Sequence, residues 1–273
     1  MADNRPIGVF DSGIGGLTVV HELVERLPNE SIEYFGDTAR VPYGPKSPAT
    51  VARYSEEASA YLLSRDVKMI VVACNTATAH AAARLTASLP VPVVGVIEPG
   101  ARAAVQATRT GRIGVIGTAG TIASGAYDLA VRRRLENARV YAQPCPLFVP
   151  LVEEGWHSHN ATRMVAEDYL NPLLEMDVDV LILGCTHYPL LRALFAEVMG
   201  PAVQLVDSAT QTALEVASIL DEEGIRRTAT EPPSYNFSVS DAPLRFRDIG
   251  RTFLGELLRT VAHVDVEGSG PAA

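Results

Sequence analysis

The chain has 273 residues, 47% hydrophobic and 20% charged, enough for one large or two modest globular domains with a buried core. A net charge of −9 and a pI near 5.2 exclude a general field for nucleic acid or an anionic membrane surface, so an anionic small molecule must be held by local hydrogen-bond donors. No apolar run reaches the roughly 18 residues of a membrane span, and the start MADNRPIGVF lacks the basic and long apolar regions of a signal peptide, so residence in the cytoplasm is expected.

In chain order, short Val/Ile-rich runs predict strands over residues 7–10, 32–35, 69–73, 93–96, 113–116, 139–142, 180–183 and 203–206, with helices in the gaps. One helix begins in KSPATVARY, with Ser47 as N-cap and Pro48 at the first helical position. A helix over 211–222 follows the eighth strand, and EPPSYNFSVSD reads as a returning edge strand. The alternation predicts β-α units around a mainly parallel sheet.

The chain also repeats itself. IGVFDSGIGG at Ile7 resembles IGVIGTAGTI at Ile113, an offset of 113 − 7 = 106, and VVACNTATAH around Cys74 is echoed by LILGCTHYPL around Cys185, an offset of 185 − 74 = 111. Similar offsets predict two similar open, mainly parallel-sheet α/β domains related by pseudo-two-fold symmetry, residues 1–100 plus 208–273 forming the first and 101–207 the second. Ligands of open α/β sheets bind beyond the carboxyl ends of the strands. Halves that face each other would therefore place both cysteines in one cleft.

The three cysteines do not form a disulfide framework. Cys74 and Cys185 each end a predicted strand and precede a helix, where backbone N–H groups and the helix dipole lower a thiol pKa. A single such cysteine would read as a small buried hydrophobe; two at matching strand ends, with polar successors, read as chemistry. His187 offers a further donor or proton carrier, and Asp11 a partner for a thiol or an ammonium group. Cys145, between prolines in AQPCPLFVP, is assigned to packing.

The glycines of DSGIGG permit close approach to the backbone, but the loop lacks the P-loop pattern and suits a small carboxylate better than a dinucleotide. GDTARVPYGPKS, carrying Tyr43, is either a surface turn or a carboxylate-binding loop. Thr118 and Thr121 in GTAGT are either caps or hydroxyl ligands, and Glu153 in PLVEEG either a solvated helix-end acid or a supporting carboxylate. His21 and His80 fall in helical patterns; His157, His159 and His263 read as surface residues. A pyridoxal-phosphate enzyme needs a Schiff-base lysine, and only Lys46 and Lys68 exist, in a loop and at a strand's entry. A zinc site on Cys74, Cys185 and His187 lacks the usual ligand spacing. No cofactor and no metal are expected.

With DSGIGG, GDTARVPYG, ACNTATA, GTAGT, CPLFVPLVEEG and LGCTHYPL in order from about Ile7 to Ala213, the sequence resembles glutamate racemase, a cofactor-independent family supplying D-glutamate for peptidoglycan. The resemblance implies two α/β domains around the substrate and Cys74 and Cys185 as the acid/base pair. It also implies Asp11, Ser12, Tyr43, Gly44, Asn75, Thr76, Thr186 and His187 at the substrate, with Glu153 as a supporting carboxylate. Thr78 stands where the family motif usually has serine, and a hydroxyl is kept. Few residues precede Ile7, so control by a cell-wall precursor through an N-terminal extension is not expected. Aspartate racemase, a related two-cysteine family, is the rival reading; the Cys-Asn-Thr and Cys-Thr-His-Tyr-Pro contexts favour glutamate. Relatives are often dimers, and some inhibit DNA gyrase by direct binding, so a homodimer and a gyrase contact are the partner expectations.

Overall fold

The computed structural model describes residues 2–266; the last seven residues of the expected first domain, 267–273, lie outside it. The strands are β1 (Ile7–Asp11), β2 (Ile32–Gly36), β3 (Met69–Val72), β4 (Val93–Gly95), β5 (Arg112–Gly117), β6 (Arg139–Pro144), β7 (Val180–Gly184), β8 (Gln204–Asp207), β9 (Tyr235–Val239) and β10 (Ala262–His263). The α-helices are α1 (Leu17–Arg26), α2 (Pro48–Ser64), α3 (Asn75–Ser88), α4 (Ile97–Ala107), α5 (Ala119–Ala123), α6 (Ala126–Arg132), α7 (Phe148–Glu153), α8 (Asn160–Glu175), α9 (Arg192–Met199), α10 (Ser208–Glu222) and α11 (Pro243–Leu254). Among the described residues no helix is long and apolar enough to cross a membrane.

The strands form two sheets, in the orders β10-β9-β2-β1-β3-β4 and β6-β5-β7-β8. Every strand pair is parallel. The stretch β2-β1-β3-β4 repeats as β6-β5-β7-β8, which is the duplication seen in the sequence: two open parallel-sheet domains related by pseudo-two-fold symmetry.

Helices cover both faces of each sheet, so the strands are apolar on both sides and read as continuous runs. Successive side chains alternate between layers. Met69, Val71 and Ala73 enter one core layer of the first sheet, while Ile70, Val72 and Cys74 enter the other. In the second sheet Val180 and Ile182 face one layer, and Leu181, Leu183 and Cys185 the other. Complete burial of each such Val, Ile or Leu contributes about 1.5–3 kcal/mol, so the strands cannot slip by one residue without exposing a whole layer. That register fixes where each cysteine emerges.

The chain passes between the sheets twice. On the outward passage Ile97, Ala101 and Ala104 of α4 pack in the layer of Ile113 and Val115; on the return Ala209, Ala213, Val216 and Leu220 of α10 pack with Ile7 and Val9. Ser47 caps α2 through the N–H of Thr50, with Pro48 following.

One strand expectation is corrected. The segment EPPSYNFSVSD does supply β9, but β9 is not an edge: it lies between β2 and β10, parallel to both. α11 returns the chain so that the two residues of β10 add outside it. His263 in β10 is exposed, with its Nε2 3.1 Å from Ser240 O.

Candidate active site

Cys74 follows β3 and is the N-cap of α3, its sulfur accepting from the N–H of Ala77 at 3.5 Å. Its thiol also donates to Ser12 Oγ at 3.6 Å. Ser12 comes from the DSGIGG loop at the end of β1. Asp11, fully buried, accepts from the N–H of Gly13 at 2.9 Å and from Thr186 Oγ1 at 3.4 Å. The second contact crosses from the first sheet to the second.

The thiol expectation fails for Cys74. Burial disfavours the thiolate, the nearby Asp11 charge adds to the effect, and the Ala77 N–H and Ser12 hydroxyl offset only part of it, so the pKa is pushed up to about 12. The helix N-terminus is present, but loss of water outweighs it. Burial likewise raises the Asp11 pKa, against the lowering influence of His187 and of the Gly13 and Gly16 N–H groups.

Cys185 follows β7 with a different set of partners. His187 Nδ1 lies 3.8 Å from its sulfur, and the other ring nitrogen, Nε2, lies 3.0 Å from Glu153 Oε1 at the end of α7. Burial works against a charged imidazole, but the hydrogen bonds to Cys185 and Glu153 prevail and carry the His187 pKa up to about 10. The ring of His187 thus lies between Cys185 and Glu153, an arrangement that favours its protonated form. Glu153 is thus tied to His187 rather than left as a solvated helix-end acid.

Several contacts join the halves around these groups. Thr76, beside Cys74, and Thr118 and Thr121 of the second half form a triangle of hydroxyls with sides of 2.8, 3.1 and 3.0 Å. Thr118 also caps α5 through the Thr121 N–H, which is the capping role considered for it. Asn75 Nδ2 donates to Tyr127 Oη at 2.8 Å. Gly44 abuts Thr118, where a Cβ would come within 2.9 Å of the threonine Cβ. At Gly15 an added Cβ would overlap Thr186 Oγ1 and come within 2.5 Å of His187 Nδ1. The glycine-rich loop therefore admits the opposite strand-end loop itself.

The remaining sequence candidates separate from this group. Tyr43 is buried in the same core layer as Cys74, but its hydroxyl donates to Asp37 at 2.5 Å. Cys145 lies in the core with Phe148 and Tyr188, its thiol pKa raised by burial and then by Cys185. Thr78 turns its hydroxyl to Val72 O. His159 caps α8 by accepting from the Ala161 N–H. Lys68 is consumed at the opposite end of β3, where its Nζ donates to Glu30 at 2.6 Å and to the carbonyls of Asp3 and Ile225. Among the described residues no cluster of three or more His, Cys, Asp or Glu side chains is arranged to hold a metal ion.

Residues 7–216 match the Asp/Glu/Hydantoin racemase family model. A glutamate racemase from Geobacter metallireducens is 52% identical over 263 residues, covering 96% of this chain and 97% of the relative. The chain belongs to the Asp/Glu/Hydantoin racemase family. It is an isomerase of the glutamate racemase kind, and its fold agrees. A glutamate racemase from Bacillus anthracis superposes with a TM-score of 0.93 at 41% identity, covering 96% of this chain and 98% of that one. A glutamate racemase from Francisella tularensis in complex with D-glutamate gives 0.91 at 41% identity, covering 97% and 99%.

Within this racemase fold, sequence reading passed over three polar groups. Tyr127 Oη, besides accepting from Asn75, pairs with Ser208 Oγ at 2.9 Å, and Ser208 Oγ donates to Leu183 O, two residues before Cys185. Asp37, buried beneath Tyr43, is the third. Tyr127 lies in a short helix without a motif and carried no signal. Asp37 did carry one: it follows a buried strand as Asp11 closes its neighbour.

Proposed function

We propose that the chain interconverts L- and D-glutamate without a cofactor, in the cleft between residues 1–100 plus 208–273 and residues 101–207, supplying D-glutamate for peptidoglycan in the cytoplasm. The observation that carries this reading is the pair of thiols, Cys74 and Cys185, at equivalent strand ends of two duplicated sheets, each with its own polar escort. Inverting a carbon centre requires a proton to leave one face while another arrives on the opposite face. Two opposed acid/base groups meet that requirement, one thiolate accepting while the other thiol donates, with the roles exchanged in reverse.

The raised Cys74 pKa fits a base that is armed by its substrate. Asp11 repels a neighbouring thiolate; a substrate ammonium bound at Asp11 would neutralise that charge and favour deprotonation of Cys74. On the other side the His187 imidazolium stabilises a Cys185 thiolate, with Glu153 holding the ring. Charge developing at the α-carbon and carboxylate needs fixed donors. Asn75, Thr186 and the Thr76–Thr118–Thr121 hydroxyls supply them, with Ser12 and the backbone of Tyr43 and Gly44 completing the contacts to substrate.

Optical rotation of L- and D-glutamate and of both aspartates, followed without added cofactor, tests the reading. Racemisation of both glutamate enantiomers is expected, and faster turnover of aspartate would replace the substrate assignment. Activity abolished by chelation and restored by zinc would end the cofactor-free mechanism. In heavy water the product should gain deuterium while unreacted substrate stays protiated; a single base would label both. Cys74→Ser and Cys185→Ser should each abolish racemisation, yet eliminate opposite enantiomers of a glutamate analogue bearing a β leaving group. Likeness to relatives further suggests that Cys74 serves the D-enantiomer and Cys185 the L-enantiomer. A homodimer and an inhibitory contact with DNA gyrase are suggested by relatives alone; sedimentation, and a supercoiling assay with the double-cysteine variant, test them.

A further inference from the structure

Asp37 stands just beyond β2 and is fully buried. A buried carboxylate is tolerated only when paired and hydrogen-bonded, and Asp37 is both. Arg40 Nε donates to Oδ1 at 3.0 Å and to Oδ2 at 2.7 Å, Tyr43 Oη to Oδ2 at 2.5 Å, and Ser240 Oγ to Oδ1 at 2.9 Å. Its backbone N–H donates to Asp11 O at 3.0 Å. Arg40 is fixed in turn by an ion pair with Glu57 and by lying 4.0 Å from the centre of the Tyr54 ring.

The direction of the Tyr43 bond matters. Burial and the adjacent Asp37 carboxylate raise the phenol pKa, so Tyr43 donates and Asp37 accepts throughout the working pH range. A phenol whose proton is committed this way does not offer that proton to a substrate carboxylate. Its ring belongs to the same core layer as Cys74, and the next residue, Gly44, rests on Thr118 across the domain seam, with its carbonyl against Gly120. Asp37 thus ties together the 36–47 loop and the turn after β9 through its carboxylate, and the Asp11 strand end through its backbone N–H.

We infer that Asp37 is the positioning residue of the substrate loop: by clamping the Tyr43 hydroxyl it sets the Tyr43–Gly44 backbone against the second domain before substrate binds. This rests on the reading of the seam as a glutamate cleft. Tyr43 then acts through its position, and Asp37 contributes to binding without touching the substrate. A loop left to find its place on binding weakens affinity more than it slows bound substrate.

The experiment compares Asp37→Asn, Tyr43→Phe, Ser240→Ala and the Asp37→Asn/Tyr43→Phe double variant in steady-state racemisation of both glutamate enantiomers, with thermal unfolding measured alongside. Hydrogen bonds to a charged group are the strong class, so Asp37→Asn should raise KM about tenfold or more while kcat stays within about threefold. Tyr43→Phe should raise KM by a similar factor, and the double variant should be no worse than the poorer single one, because both changes break the same link. Ser240→Ala, outside the loop, should fold and raise KM severalfold, keeping the test available if Asp37→Asn does not fold. Multiplying KM effects in the double variant would overturn the inference. So would lowered stability in Ser240→Ala and Tyr43→Phe with KM unchanged. A parent chain that racemises no glutamate would instead defeat the substrate reading, whereas an active parent with unaffected variants defeats only the role of Asp37.

Discussion

Glu153→Gln separates the charge on the carboxylate from its shape. The amide keeps the length of the side chain and can still accept from His187 Nε2, now 3.0 Å from the carboxylate oxygen, but it no longer favours the imidazolium electrostatically. The glutamate side chain is only 26% exposed, so water screens the pair weakly. Losing a charge-assisted hydrogen bond of about 1.5–3 kcal/mol should lower kcat/KM about ten- to a hundredfold. The two enantiomers have equal free energies and an equilibrium constant of one, so kcat/KM must fall by the same factor in both directions; any asymmetry can appear only in kcat and KM separately. The pH profile gives the second reading. With His187 held at about 10 in the parent, the alkaline limb of kcat/KM should move to lower pH in the variant. Circular dichroism from pH 6 to 11 measures both, and an unmoved alkaline limb with kcat/KM within threefold of the parent would refute the role given to the imidazolium. The same proton is linked to stability. Because the folded pKa is raised above the usual value of 6.5, the contribution of His187 is fully present below that value and lost as pH climbs through about 10. Thermal melts of Glu153→Gln should show that loss at lower pH.

Gly15→Ala should reduce kcat/KM by more than about a hundredfold, since its Cβ drives into Thr186 and His187 and a displaced reacting group loses its geometry. Gly125→Ala, at φ +66° with open space around it, should cost about 1 kcal/mol of stability and leave kinetics unchanged; the pair is scored by kinetics and thermal melts together. Cys145→Ala should keep kcat/KM within about twofold and lose about 1 kcal/mol of stability, and a loss like that of Cys74→Ser in a folded protein would show the three thiols to be wrongly sorted. Lys68→Met should destabilise the fold by about 3–5 kcal/mol in denaturant unfolding, because it leaves the buried Glu30 carboxylate without its cation, while folded molecules retain their turnover.

Sequence alone determined strands β1 to β8, the duplication and the two strand-end cysteines, and for one physical reason. A parallel strand covered on both faces must be apolar along its whole length, and the residue where that run stops marks the functional edge. MIVVAC and VLILGC carry this signal without help from elsewhere in the chain. Motif resemblance then gathered Asp11, Thr186 and His187 into one expectation. Tertiary structure decided what those groups meet. The place of β9 depends on β10, two residues with no pattern of their own, so its interior position was invisible. The Cys74 thiol looked activated because a helix N-terminus is readable in sequence, whereas its burial and the approach of Asp11, 63 residues away (74 − 11), are not. The glycines of DSGIGG announced a close approach but not that the visitor is Thr186 and His187. Asp37, Tyr127 and Ser208 acquire their meaning only when distant segments are packed together, because hydrogen-bond partners are chosen in space, while periodicity records only which side of an element faces inward.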